Sequence, residues 1–119
     1  MKKLLLVLFS LFWFSTLASA AVVSSAPVTI VPIVIVTGNA FQQILAASTI
    51  NNRFSLTIQN NNATDSCWVF LGPNASATKA TSILLLAGGS YTRYYPYIPS
   101  NAIQVTCAST ADTMYLDTQ

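Results

Sequence analysis

Side chains able to carry chemistry are scarce in this chain, which contains no histidine and no glutamate. Without histidine there is no Ser-His-Asp or Cys-His nucleophile arrangement and no imidazole metal site. Acid–base or oxygen-ligated metal chemistry would fall on Asp65, Asp112 and Asp117 alone. Asp65 and Asp112 stand in turn-forming stretches, where a carboxylate ordinarily bonds its own main chain. Asp117 lies near the end of the sequence. Gly88-Gly89-Ser90 lacks the lysine and the following helix of a phosphate loop and reads as a hairpin turn. The expectation is a protein that is not an enzyme and uses no metal or other cofactor.

One segment is chemically dense. In residues 90–99 (SYTRYYPYIP), Tyr91, Tyr94, Tyr95 and Tyr97 surround Arg93, and Pro96 and Pro99 limit backbone freedom. Tyrosine and arginine bury large areas at low entropic cost and keep a polar tip, so they carry interface energy. Aromatic faces also stack on sugar rings. Tyr91, Arg93, Tyr94, Tyr95 and Tyr97 are therefore a candidate contact surface for a glycan, another cell-surface ligand or a second copy of the chain. The alternative is ordinary sheet packing, with Tyr91 and Tyr95 in the core and Tyr94 and Arg93 over a sheet edge. Tyrosines on both strand parities imply that some are exposed.

The N-terminus and the cysteines suggest where such a surface would operate. Lys2 and Lys3 precede an apolar run that ends in Ala18-Ser19-Ala20, the pattern of a secretory signal cleaved after Ala20. The run is short for a membrane span and is interrupted by Ser10, Ser15 and Thr16. Any membrane contact is thus expected only through the transient signal, and the destination is secreted or periplasmic. Removing 20 residues from 119 leaves 99, enough for one domain. The formal net charge of +2 resides in the two signal lysines. Arg53, Lys79 and Arg93 then balance the three aspartates, and a basic face for nucleic acid is not expected. Charged residues make up only 7% of the chain, so its wet surface must be built mainly of Ser, Thr, Asn and Gln. Cys67 and Cys107 are the two cysteines, and in an oxidising compartment they form one disulfide.

These residues need rigid elements to hold them, and the chain reads as β throughout. Short β-rich runs recur every eight to twelve residues or so between turn signals, as in a sandwich or barrel. In 53–59, Phe54, Leu56 and Ile58 alternate with Ser55, Thr57 and Gln59, giving one buried face. Residues 60–66 (NNNATDS) supply a polar turn. Residues 67–71 are apolar on both faces and suit a central strand. A long loop of small residues (73–82) leads to strand 83–87, which the Gly-Gly turn is expected to pair with 90–95 as a hairpin. Strands 102–107 and 113–118 follow.

Upstream, 28–36 and 41–47 are two further candidates, the second with helical ambiguity. Pro32 makes 28–36 an edge strand wrapping its own domain, or alternatively an arm added to a neighbouring subunit. Parity puts Cys67 with Val69 and Leu71, and Cys107 with Ile103 and Val105. The bridge would then join two sheets or two neighbouring inner strands. Trp68 is expected against that bridge or on the second sheet face. Asn62-Ala63-Thr64 and Asn74-Ala75-Ser76 match the glycosylation sequon, which matters in a eukaryotic source.

The fold class expected is all-β, a single antiparallel β-sandwich of about eight strands, jelly-roll-like or immunoglobulin-like, with one disulfide. The expected organisation is a signal at 1–20, a flexible lead at 21–27 and the sandwich at 28–119.

From Arg53 the order of features is "RFSLTIQNNN", "CWVFLG", an apolar strand ending in Gly-Gly-Ser, a Tyr/Pro stretch, "AIQVTC" and "TMYLDTQ". Over about residues 53–118 this resembles small β-sandwich accessory proteins of tailed-phage virions, of the decoration or fibre type. The resemblance rests on strand and turn positions and implies a structural, virion-associated subunit. It carries no functional residues across. The functional expectation is an exported structural or adhesive subunit, with homo-oligomers as one form. The alternative is a monomeric module that binds carbohydrate or another cell-surface ligand.

Overall fold

The computed structural model describes residues 29–48 and 53–119, so the expected signal (1–20) and lead (21–27) lie outside the described residues. Alternating apolar residues form eight strands: β1 (Thr29–Val34), β2 (Gln42–Leu45), β3 (Ser55–Asn60), β4 (Cys67–Leu71), β5 (Ile83–Leu85), β6 (Ser90–Tyr94), β7 (Ile103–Cys107) and β8 (Thr113–Thr118). They make two four-stranded antiparallel sheets, β1-β8-β3-β6 and β2-β7-β4-β5. This is the sandwich expected from the sequence, and the strand order decides its type. β1 pairs with β8, β2 with β7, β3 with β6 and β4 with β5, the nested pairing of a jelly roll.

Only β4 and β5 are both consecutive in sequence and neighbours in a sheet; every other connection crosses between sheets. The expected 83–95 hairpin is therefore corrected. β5 pairs with β4, β6 pairs with β3, and the Gly88-Gly89 turn carries the chain from one sheet to the other. Gly88 supplies a positive φ of 72° there, and Gly89 accepts from the Asn60 N–H at 2.9 Å. A Gly-Gly turn is a local signal, whereas strand pairing is settled by partners distant in sequence.

Leu56 and Ile58 on β3, Tyr91 on β6 and Met114 and Leu116 on β8 face Cys67, Val69, Leu85, Ile103, Val105 and Cys107 of the other sheet. Burial of each large aliphatic side chain contributes roughly 1.5–3 kcal/mol. Phe54 departs from its expected place. β3 begins at Ser55, two residues after the expected start, Phe54 turns outward, and Asn60 takes the third inward position after Leu56 and Ile58. The backbone at Phe54 bends as it meets the chain end, donating its N–H to the Gln119 carbonyl at 2.5 Å.

β1 is an edge strand of its own domain, as the in-domain reading of 28–36 expects. The ambiguous 41–47 segment is a strand, β2, on the edge beside β7. The disulfide links Cys67 and Cys107 with an S–S distance of 1.97 Å. These residues are direct partners on β4 and β7, so the bridge joins neighbouring inner strands of one sheet, not two sheets.

Candidate functional site

The tyrosine-rich segment begins as β6, the outer strand of its sheet. Asn60 N–H donates to Gly89 O and Tyr95 N–H to Phe54 O, so residues 89, 91, 93 and 95 bond inward to β3. Antiparallel alternation leaves the backbone of Thr92 and Tyr94 on the open side. Beyond Tyr94 the chain turns: the Tyr97 N–H donates to the Tyr94 carbonyl at 2.9 Å, and the Tyr95–Pro96 peptide is cis. Buried Ile98 anchors the segment from beneath.

The turn separates the expected contact residues. Tyr91 is 8% exposed and belongs to the core, with the Arg93 guanidinium 4.7 Å above its ring, so it is removed from the contact surface. Tyr94, Tyr95 and Tyr97 are 68%, 59% and 81% exposed. Tyr95 is thus also a correction to the packing alternative, which placed it in the core. With Thr92 and Arg93 these three rings line one open hollow of about 480 Å³. Phe54 adds an exposed ring beside Tyr95, with centroids 6.2 Å apart. The sequence reading missed Phe54 because strict alternation assigned it to the core.

Arg53 holds the platform in place. Its Nη1 donates to the Pro99 carbonyl at 2.8 Å and to Asn101 O at 3.4 Å, and its Nη2 donates to Ala46 O at 2.6 Å. One guanidinium thereby ties the loop after β6 to the chain leaving β2. Burial pushes the Arg53 pKa below its ordinary value, since the charged form loses hydration. Its three carbonyl partners compensate for part of that loss.

A second polar centre went unread in the sequence. Asn60 is fully buried, and its Nδ2 donates to the carbonyls of Asp65, Leu85 and Leu86 at 2.8, 3.1 and 3.0 Å. Its Oδ1 accepts from the Asn62 backbone and side chain, and Asn62 Nδ2 also lies 3.4 Å from Cys67 Sγ. The first sequon therefore has its asparagine amide engaged inside the fold, whereas Asn74 is exposed. Among the described residues, Cys67, Cys107 and Asp112 form a group of potential metal ligands. Two of those three atoms are the bonded sulfurs, and a disulfide offers no thiolate.

Trp68 lies on the outer face of β4, the second-face alternative. Lys79 Nζ sits 3.9 Å from its ring centroid and donates to Asn39 Oδ1. The expected small-residue loop thus folds over the sheet in two 3-10 turns, Asn74–Ser76 and Lys79–Thr81. Asp112 accepts from the Ser109 N–H at 3.1 Å, the local role expected of a turn aspartate, whereas Asp65 accepts from the Ser109 hydroxyl, 44 residues away in sequence. Compared with protein-family models, curated proteins and solved structures, the chain matches none.

Proposed function

We propose that this protein is an exported, non-enzymatic adhesive domain that holds another molecule through the tyrosine-lined hollow beside β6. The observation that carries this reading is the convergence of Tyr94, Tyr95, Tyr97 and Arg93 on one open hollow. Large aromatic rings left in water at a single place are costly unless a partner covers them, and such clusters supply most of the binding energy at interfaces. The hollow's lining contains hydroxyl, phenol and guanidinium groups but no carboxylate or thiol, a composition suited to holding rather than cleaving. Export is supported by the basic, apolar and small-residue order of residues 1–20 and by the disulfide.

A self-associating subunit is a second form of this reading. The outward N–H groups of Thr92 and Tyr94 on β6 favour it, because an edge strand can take on another strand, although the two carbonyls are occupied by the Arg93 guanidinium and the Tyr97 N–H. Both forms use the same surface, so one variant tests them together. A Tyr94→Ala/Tyr97→Ala double variant should keep the wild-type melting curve. It should lose binding on glycan arrays and cell surfaces, or oligomer formation in light scattering, by roughly tenfold or more. A folded double variant that binds and associates like the wild type would sink the proposal.

A further inference from the structure

We propose that the outer face of the β1-β8-β3-β6 sheet carries a pocket for the primary ammonium group of a partner protein's lysine, with Asp117 as its counter-ion. This pocket is separate from the tyrosine hollow and stands on its own observations.

The first observation is a charge inventory. Among the described residues the cations are Arg53, Lys79 and Arg93, and each is engaged. Arg53 donates to three carbonyls, Lys79 lies over Trp68 and donates to Asn39, and Arg93 covers Tyr91 and donates to Thr92 O. Of the acids, Asp65 and Asp112 accept hydrogen bonds near their turns. Asp117 is different. Its Oδ1 is shut off from solvent and has no hydrogen-bond partner among the described residues. A carboxylate with one oxygen in that condition is destabilised, and a cation meeting its other oxygen from outside relieves it.

The second observation is a hollow at that same place. Ile30, Thr57, Gln59, Tyr115 and Asp117 line a space of about 300 Å³. The register explains why they meet. Asp117 stands directly opposite Ile30 on β1 and Thr57 on β3, while Tyr115 stands opposite Gln59. Residues two apart on one strand share a face, so all five look outward from the sheet.

The lining selects the ligand. A primary ammonium has three N–H donors, and Asp117 Oδ2, Thr57 Oγ1 and Gln59 Oε1 are three acceptors. Thr57 Oγ1 lies 3.3 Å from Thr92 Oγ1. Thr92 can therefore donate to Thr57 and leave it free to accept. The Tyr115 ring faces the cation, and Ile30 packs on the aliphatic stem, as lysine side chains require. A calcium ion would want six to eight oxygen ligands or so, and this lining holds a single carboxylate. A neutral sugar would leave the charge uncompensated.

The test is a titration of the mature protein with Nα-acetyl-lysine N-methylamide, followed residue by residue by NMR. Thr57, Gln59, Tyr115 and Asp117 should shift together, more strongly at low salt, and the Nε-acetylated analogue should leave them still. Asp117→Asn, which keeps the side chain's shape, should weaken binding by about tenfold or more. Gln59→Ala, at an exposed position, gives a second variant with a smaller loss should Asp117→Asn fail to fold. The proposal is overturned if the acetylated analogue binds equally well or if Asp117→Asn changes nothing. Stronger shifts at these residues with calcium chloride or methyl glucoside, or shifts confined to Tyr94–Tyr97, would overturn it too.

Discussion

Asn60 illustrates how much a single buried amide can organise. Three carbonyls from two other segments converge on its Nδ2, and its Oδ1 orders the turn that follows. Replacing it with leucine would take this donor from the Asp65 and Leu85 carbonyls and the acceptor from the Asn62 N–H, while Leu86 O keeps the Gly89 N–H. At roughly 1–3 kcal/mol for each stranded group, Asn60→Leu should cost at least about 3 kcal/mol. Urea unfolding should show this as a lower midpoint with little change in slope. A loss under about 1 kcal/mol would mean that water replaces the amide there. The run NNN at 60–62 was legible as the start of a turn, and the chain does bend just after it, at 63–64. Asn60 was not legible as core, because its partners come from residues 65, 85 and 86. Arg53 is a similar case: its residue type predicts exposure, yet three carbonyls assembled by the fold enclose it.

The elements had to solve the problem of open edges. β1 presents exposed Ile30, Val31 and Val34, a sequence that invites pairing with another chain. Ile35 N–H donates inward to Asp112 O, which places Pro32 and Val34 on the open side of the ribbon. Pro32 has no N–H to offer there. Gln42 covers the rest by imitating a strand: its Oε1 accepts from Val36 N–H at 2.9 Å and its Nε2 donates to Val34 O at 3.0 Å. A Pro32→Val/Gln42→Ala variant should therefore self-associate at concentrations where the wild type does not. Sedimentation velocity would reveal it, and an unchanged sedimentation profile would show that the edge is guarded in some other way. The apolar composition of this strand and its edge position were readable in advance. Gln42 as its cover was not, since that contact depends on β2 crossing to the other sheet beside β1.

At the scale of the molecule, the disulfide fastens β4 to β7, residues separated by 40 positions in the chain. Holding such distant residues together restricts the unfolded ensemble, worth about 4 kcal/mol in the chain-entropy model. A domain of this size has a net stability of roughly 5–15 kcal/mol, so the bridge is a large share. Reduction, or a Cys67→Ala/Cys107→Ala variant, should lower unfolding free energy by about that amount while leaving the strand signature in circular dichroism at low temperature. A loss below about 1 kcal/mol would show that the unfolded chain already holds these strands close. The nesting of the strand pairs explains the large span. In a jelly roll the first strand meets the last, so pairing is non-local almost everywhere.

Composition and pleat parity alone were enough to determine an all-β domain, the positions of its strands to within a few residues, the cysteine pair and the shortage of catalytic groups. Each of these follows from local rules: alternation with period two, turn residues between runs, and the absence of histidine and glutamate. Tertiary structure alone decided that the Gly-Gly turn crosses between sheets, that Tyr91 goes inward while Tyr95 goes out, and that Asp117 stands without a cation among the described residues. Those outcomes depend on which distant strand lies alongside, and a one-dimensional pattern carries the face of a side chain but not the identity of its neighbour.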